Sequence, residues 1–493
     1  MTFSIQELLS LNSKKLKLNS SLKFMRHEGK LYAYLNKYIP KISFMEISEG
    51  LFLLLNQFDG TKTTNEIIVN NKLDSDFFNL ISILKRNYVL HESDLPQRFS
   101  NRNTHTLIFY PTNRCNLRCI YCYASAGETP SKQLDPETAN VWIEYIFSQL
   151  TEDIKEIVVL FHGGGEPTTA SGVMKEIWEE VKRKCNEKGL KYQLNSITNG
   201  NFNSDVLKWF IEEKATVVFS LDGTKEYNDM LRPRADGSGS FDEAYRNIKE
   251  LIKNGISCSI RGTVGRINKD NLKEYIDLAA ELGIKSLNLD KLNPFGRSDD
   301  LEGETLSDEE YKYLFLDTWK YSINKEIPII GYSTMSLRSS KPFFCNDYEN
   351  TSFALTPEGF LSPCPEVSME SDPVSGTFLV GKVNNSGKIE FEKERIKKLK
   401  ERTPENLIEC RECFLEYLCR GGCSVKSVRN NGDLMKIETG KCNYIREISF
   451  LLLNYFLTEP EMISGRMKLE KFDYISPDNP EISLNFVSFI PRR

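Results

Sequence analysis

Three cysteines, Cys115, Cys119 and Cys122, are packed into the run Pro111-Thr-Asn-Arg-Cys-Asn-Leu-Arg-Cys-Ile-Tyr-Cys-Tyr-Ala124. Thiolates are the usual holders of iron–sulfur clusters, four to a cubane. A compact triad leaves one iron of a cubane without a protein ligand, and that open iron can bind a reactant. The rival uses are a zinc site or a redox pair, although zinc prefers four ligands in a closed site. A second array lies downstream: Cys345-x13-Gly359-x4-Cys364, then Cys410-x2-Cys413-x5-Cys419-x3-Cys423, then Cys442. Its rival reading is a zinc ribbon built from Cys410, Cys413, Cys419 and Cys423. Cys185 and Cys258 belong to neither set and read as ordinary thiols.

Composition narrows the setting. The 493 residues suffice for roughly three domains. A hydrophobic content of 40% and a net charge of −5 describe a soluble globular chain without the basic excess that attracts nucleic acid. The apolar stretch Ile448 to Leu457 is about half a membrane span and is broken by Asn454, so no membrane partner is expected. No basic region followed by an apolar core and a small-residue cleavage site is seen near the start, so the expected location is cytoplasmic. Twelve cysteines in that compartment are expected to bind metal rather than to pair as disulfides.

The elements that must position these thiols alternate from Thr106 onward. Strand candidates are 106–110, 156–161, 192–197, 216–221, 256–264 and 286–290, with helical stretches between them. One helix opens at Asp135-Pro136, a cap followed by proline at the first helical position. Regular βα alternation predicts a parallel sheet or barrel, and six units predict an α/β partial (β/α)6 TIM barrel. The Cys115 triad follows the first strand, Gly163-Gly164-Gly165-Glu166-Pro167 the second and Thr198-Asn199-Gly200 the third, while Ser220-Leu221-Asp222-Gly223 spans the end of the fourth. Chemistry is expected at the carboxyl ends of such strands. Upstream, alternation at 31–35 and 42–47, followed by helices capped by Ser48, by Thr63 or Thr64, and by Asp74 or Ser75, gives a winged-helix pattern. The expected division is a winged-helix α+β module at 1–92, a linker at 93–104, a barrel at 105–300, a bridging region at 301–344, a Cys-rich domain at 345–445, and a helix and tail at 446–493.

The Cys-x3-Cys-x2-Cys spacing, with Tyr121 before the third cysteine, resembles the signature of radical S-adenosylmethionine (SAM) enzymes. In that family the open iron chelates the amino and carboxylate groups of SAM, and an electron from the cluster frees a 5′-deoxyadenosyl radical. Gly164-Gly165-Glu166-Pro167 resembles the motif that grips the SAM amino group. The resemblance implies cofactor contacts at Tyr121, Gly164, Gly165, Glu166, Asn199, Ser220, Asp222 and Arg261. Ser220 and Asp222 would serve the ribose, and Arg261 the SAM carboxylate. His162 reads as a hydrogen-bonded structural residue or a substrate contact.

The second array resembles the seven-cysteine SPASM domain of radical SAM enzymes that modify peptides and proteins, which folds around two auxiliary [4Fe–4S] clusters. By resemblance Cys345, Cys364 and Cys423 hold the first, and Cys410, Cys413, Cys419 and Cys442 the second, giving three clusters with the SAM site. The first has only three thiolates, so its fourth position is expected to take a substrate cysteine, with Asp347 as competitor. Phe58-Asp59-Gly60 through Ile67-Ile68 resembles the PqqD-like recognition element that binds leader peptides. A DNA-binding winged helix is the alternative, but residues 1–100 hold thirteen Lys plus Arg against ten Asp plus Glu, a net of only +3.

Together these resemblances imply a maturase that joins a cysteine of a ribosomally made precursor peptide to a Cα or Cβ carbon. The leader would bind residues 1–92, and ferredoxin or flavodoxin would donate electrons. A carbon–carbon crosslink and a formylglycine-generating sulfatase maturase are rivals. The maturase places an aspartate after the cysteine equivalent to Cys364, where this chain has Pro365. Outside enzymology, an iron- or redox-sensing winged-helix regulator would carry the same thiols and cleave no SAM.

Overall fold

Six strands alternate with helices between residues 104 and 291, and all six pair in parallel in chain order. They are β4 (Thr104–Phe109), β5 (Glu156–Phe161), β6 (Lys191–Thr198), β7 (Thr216–Ser220), β8 (Ser257–Val264) and β9 (Leu287–Lys291). This computed structural model describes residues 11–35, 42–73, 77–92, 103–293, 295–329, 352–384, 387–411, 413–459, 467–475 and 481–491. Cys345, Asp347 and the capping candidates Asp74 and Ser75 lie outside the described residues, as does most of the expected linker.

Strands β5, β7 and β8 alternate a buried face with a half-exposed one, as the period of two demands. Ile157, Val159 and Phe161 of β5, and Val217 and Phe219 of β7, sit in the apolar core with Trp142, Ile177, Trp178 and Phe210 of the covering helices. Ser220, Arg261 and Asp290 fall on the other face, with Ser220 and Arg261 side by side in register. The helix Pro136–Gln149 begins as expected, with Asp135 accepting from Thr138 N–H ahead of Pro136. Cys185 and Cys258 are enclosed in this core.

The sheet continues past β4. Strand β10 (Ala354–Leu355) pairs in parallel with β4, and β11 (Phe360–Ser362), β12 (Gly381–Val383) and β13 (Ile389–Phe391) follow antiparallel, for ten strands in all. Cys364, just past β11, is thereby carried to the side of the strand that leads into the Cys115 loop.

The amino-terminal module departs from expectation. Strands β2 (Lys30–Leu35) and β3 (Ile42–Ile47) form near the expected bounds, followed by α1 (Glu49–Leu55), α2 (Thr64–Asn70) and α3 (Phe77–Arg86). Ser48 caps α1, and Thr63 with Glu66 makes a full capping box on α2. A further strand, β1 (Lys23–His27), pairs with β2. The sheet is then completed from the far end of the chain: β15 (Ser483–Pro491) pairs antiparallel with β3, and β14 (Met467–Ile475) with β15. Strands β14 and β15 therefore belong to the sheet of the first module rather than to a tail. Ile482, Leu484 and Phe486 enter one core with Leu51, Leu54, Ile67, Leu80 and Ile81. The other sheet face, with Tyr32, Tyr34 and Phe44, packs on Phe414 and on Phe450 of the long helix Thr439–Thr458. No helix among the described residues is long and apolar enough to cross a membrane.

Candidate active site

The Cys115 loop is clasped from several directions. Asn113 Nδ2 donates to Thr129 Oγ1 (3.1 Å) and to the Pro130 carbonyl (2.9 Å), and its Oδ1 accepts from Lys132 N–H (2.6 Å). Arg118 donates to the carbonyls of Cys115 (2.9 Å) and Leu117 (2.8 Å). Arg297, which sequence reading missed, reaches back to the carbonyls of Cys119 (2.7 Å) and Ala126 (2.6 Å) and pairs with Glu128. Burial pushes the Cys115 thiol up to about 12, with Cys119 and Glu166 adding to it, and pushes Cys119 up to about 11. Leu117 N–H donates to Cys115 Sγ (3.4 Å), and Asn199 Nδ2 approaches the same sulfur (3.9 Å). Such desolvated thiols hold their protons until a metal displaces them.

The glycine run locks this loop to β5. A Cβ on Gly165 would stand 2.4 Å from the Arg114 carbonyl oxygen and 2.5 Å from that of Thr112, so only glycine lets the two backbones touch. Glu166 N–H donates to the Arg114 carbonyl (2.7 Å). The Glu166 side chain is buried. Its Oε1 accepts from Thr168 N–H (3.1 Å), Thr168 Oγ1 (2.7 Å) and Thr198 Oγ1 (2.7 Å), and Oε2 from Asn199 N–H (2.7 Å). A carboxylate has about four acceptor positions on its two oxygens. This one is largely occupied in tying the ends of β5 and β6 together, leaving room for a further donor at Oε2.

Asp222 does not face the open side of the sheet. It is 1% exposed, its Oδ1 accepts from Thr263 N–H (2.8 Å), and its Oδ2 meets the Tyr121 hydroxyl and Arg232 (3.5 Å). Arg232 also donates to the Tyr121 hydroxyl. The expected ribose carboxylate is thus enclosed in a buried Tyr121–Asp222–Arg232 cluster beneath the Cys loop. Beside Tyr121, a small enclosed cavity is lined by Ile120, Leu231, Thr263, Gly265 and Leu292. Arg261 stands on the open face, 3.4 Å from Asp290 Oδ2. His162, half-buried beside the glycine turn, is held down to about 3 by burial and by the Arg261 charge, so the imidazole is neutral near pH 7.

The two cysteine arrays meet at Tyr123. Its hydroxyl donates to the carbonyls of Gly163 (3.2 Å) and Pro365 (3.3 Å), joining the Cys122 loop to the residue after Cys364. Glu366 is tied to Arg429, which also pairs with Asp372 (2.9 Å). Farther out, Cys410, Cys413, Cys419 and Cys442 line one cavity with Glu438 and Lys441. Burial pushes Cys410 up to about 12 and Cys419 up to about 11. Among the described residues no three His, Cys, Asp or Glu side chains converge tightly enough to hold a single metal ion. Zinc would draw its sulfurs to about 2.3 Å. Four thiols around one cavity are the donor set that either zinc or an iron–sulfur cluster takes. Arg402, also unforeseen, braces this loop by donating to the carbonyls of Gly421 (3.0 Å), Leu434 (2.7 Å) and Lys436 (3.1 Å).

Comparison with known proteins agrees with this geometry. Residues 109–279 match the model of the Radical SAM superfamily. The chain is 30% identical over 216 residues to the Fe-coproporphyrin III synthase of Methanosarcina barkeri, covering 43% of this chain and only 50% of that relative's length. It is 23% identical to a cysteine-type anaerobic sulfatase-maturating enzyme of Clostridium novyi, over 64% of this chain and 87% of the relative. It is 22% identical to the antilisterial bacteriocin subtilosin biosynthesis protein AlbA of Bacillus subtilis, over 80% and 88%. The solved structure of native anSMEcpe with bound AdoMet aligns with a TM-score of 0.56 at 20% identity, covering 72% of this chain and 100% of that one. At that identity the likeness is one of fold.

Proposed function

We propose, from the premise that residues 109–279 form a radical SAM domain, that this chain is a peptide maturase with an auxiliary-cluster domain of SPASM type. It joins a cysteine sulfur of a ribosomally made precursor to a Cα or Cβ carbon. When bound, the SAM cluster supplies a primary-carbon radical that removes a substrate hydrogen; the protein supplies place and surroundings. Cys115, Cys119 and Cys122 hold three irons. The glycine-run backbone, with the spare acceptor position on Glu166, receives the SAM ammonium, and Arg261 pairs with its carboxylate. Ser220 serves the ribose. Asn199 steadies the Cys115 side. Asp222 fixes Tyr121 and Arg232 from below instead of meeting the ribose.

The observation that carries this reading is the Tyr123 bridge between the Cys122 loop and the Cys364 turn. It supports a first auxiliary set, with Cys364 among its thiols, lying beside the place where hydrogen is removed. A substrate thiolate at the fourth position of that set would lie within reach of the new carbon radical. Effective molarity then favours the carbon–sulfur bond. Auxiliary clusters held by these thiolates would take up the surplus electron, each bridge being a two-electron oxidation, with a ferredoxin or flavodoxin as the donor to the SAM cluster. The relatives named for bacteriocin biosynthesis and sulfatase maturation support a peptide substrate, and the porphyrin-handling relative does not. Glu366, the nearest carboxylate to the position a sulfatase maturase fills with aspartate, is paired with Arg429 and ill suited to act as a base. The amino-terminal module is the leader-binding element, docked against the second thiol cavity, and the compartment is the cytoplasm.

The test is co-expression with a short cysteine-rich peptide encoded beside this gene, followed by mass spectrometry. The expected product has lost two hydrogens per bridge, and Cys122→Ala abolishes both the mass change and 5′-deoxyadenosine release. Protein that purifies without oxygen as a colourless zinc form, or that cleaves no SAM when reduced, would falsify the reading.

A further inference from the structure

A row of lysines crosses the surface beside the second thiol cavity, on a chain whose net charge is −5. The helix Lys393–Glu401 carries five cationic residues and two glutamates in nine positions. Lys393, Lys397 and Lys400 fall at i, i+4 and i+7, hence on one stripe, and all three are exposed, while Leu399 is buried in the core. Like charges at that spacing repel. The helix dipole accounts for cations in the last turn but disfavours Lys393 at the first position. Among the described residues, ion pairing on this helix stops at Arg395 with Glu392 (4.0 Å), which leaves the row without a carboxylate. The row is held against the thiol loop. Arg402, which ends the helix, grips the Gly421 carbonyl between Cys419 and Cys423 (3.0 Å), and Asn406 Nδ2 donates back to the Glu401 carbonyl (2.8 Å). The turn that follows, Ile408–Cys410, carries the first thiol of the set, and Ile408 is 73% exposed. Cys413, Cys419 and Cys442 are only partly buried, so a cluster held by them lies near this surface.

We propose that the row Lys393, Lys397 and Lys400, with the exposed Ile408, is the docking surface for an acidic one-electron carrier protein that collects the surplus electron from the second auxiliary set. This rests on the cluster assignments made under the proposed function, but not on thioether formation. An acidic carrier and a chain of net charge −5 repel on average, so their encounter needs a local cationic patch. Redox encounters are weak and use small interfaces, for which one charged row and one apolar anchor suffice. In the transfer the oxidised carrier gains one electron and the cluster returns to its oxidised state, with no proton or bond moved.

The experiment measures, by calorimetry, the binding of a purified flavodoxin (an acidic carrier) to the iron-loaded full chain, at an ionic strength that screens distant charges. Reversing the row with Lys393→Glu, Lys397→Glu and Lys400→Glu is expected to weaken binding by about tenfold or more. The same charge change made at Lys188, Lys191 and Lys208, exposed around β6, is expected to leave binding as in the parent. Equal losses in the two triple variants, or no binding by the parent, overturn the proposal. So does a row-dependent affinity for a duplex oligonucleotide in place of flavodoxin. If the row variant takes up no iron, the pair Lys397→Gln and Lys400→Gln decides: weaker binding supports the proposal and unmoved binding overturns it. A parent that holds no auxiliary iron would instead defeat the cluster assignments themselves, and this inference with them.

Discussion

Glu166 shows how a residue can match a motif and still do something else with most of its side chain. Four donors from Thr168, Thr198 and Asn199 converge on it inside the protein. Glutamine in its place would turn one acceptor into a donor that faces donors. Hydrogen bonds to a buried charge are worth about 1.5–3 kcal/mol each. Glu166→Gln is therefore expected to destabilise the cluster-free chain by roughly 2–3 kcal/mol in urea denaturation, before any effect on SAM is measured. Asp222 makes the same point more strongly. Its position after a strand made it a candidate for ribose, yet its partners Tyr121 and Arg232 are assembled only by the fold. Cysteine spacing, by contrast, does forecast that Cys410, Cys413, Cys419 and Cys442 share one cavity, because local chain geometry limits which thiols can meet. The clamps Arg297 and Arg402 are not legible, because each grips carbonyls, and carbonyls leave no mark on side-chain identity.

Elements follow the same division. The six parallel strands lie within two residues of their expected bounds because β-branched and apolar runs flanked by capped helices repeat with one period. Strand β1 was missed because Lys23-Phe-Met-Arg-His27 is largely polar and half-exposed, so neither period stands out. The hairpin β14–β15 was missed because its pairing partner, β3, lies at the other end of the chain. Contacts between elements also fix what the turns can tolerate. The β5 turn touches the Cys115 loop backbone to backbone at Gly165. Gly165→Ala is expected to push that loop outward, so that the purified protein loses the iron of one cluster and its SAM cleavage while keeping the iron of the second array. An unchanged iron content would show that the loop is free to shift.

At the scale of the whole molecule, the first module is finished by β14 and β15, and its outer sheet face rests on Phe414 and Phe450 beside the second thiol cavity. Removing residues 467–491 would strip Ile482, Leu484 and Phe486 from its core, each worth about 1.5–3 kcal/mol of burial. Limited proteolysis of that truncated protein is expected to clip within residues 11–92 while leaving the barrel intact; a resistant module would mean that three strands suffice. The same edge bears on the proposed leader binding: β3 is already paired with β15, so a leader strand added to this sheet would have to use β1 or β14, or displace the hairpin. There is also a consequence for biosynthesis. A ribosome adding about 5–20 residues per second needs tens of seconds to travel from β3 to β14. Throughout that interval the nascent chain trails a bare strand edge, the kind of surface that mispairs with neighbours on a crowded polysome. Cells that make this protein must shelter its earliest residues until its latest ones arrive.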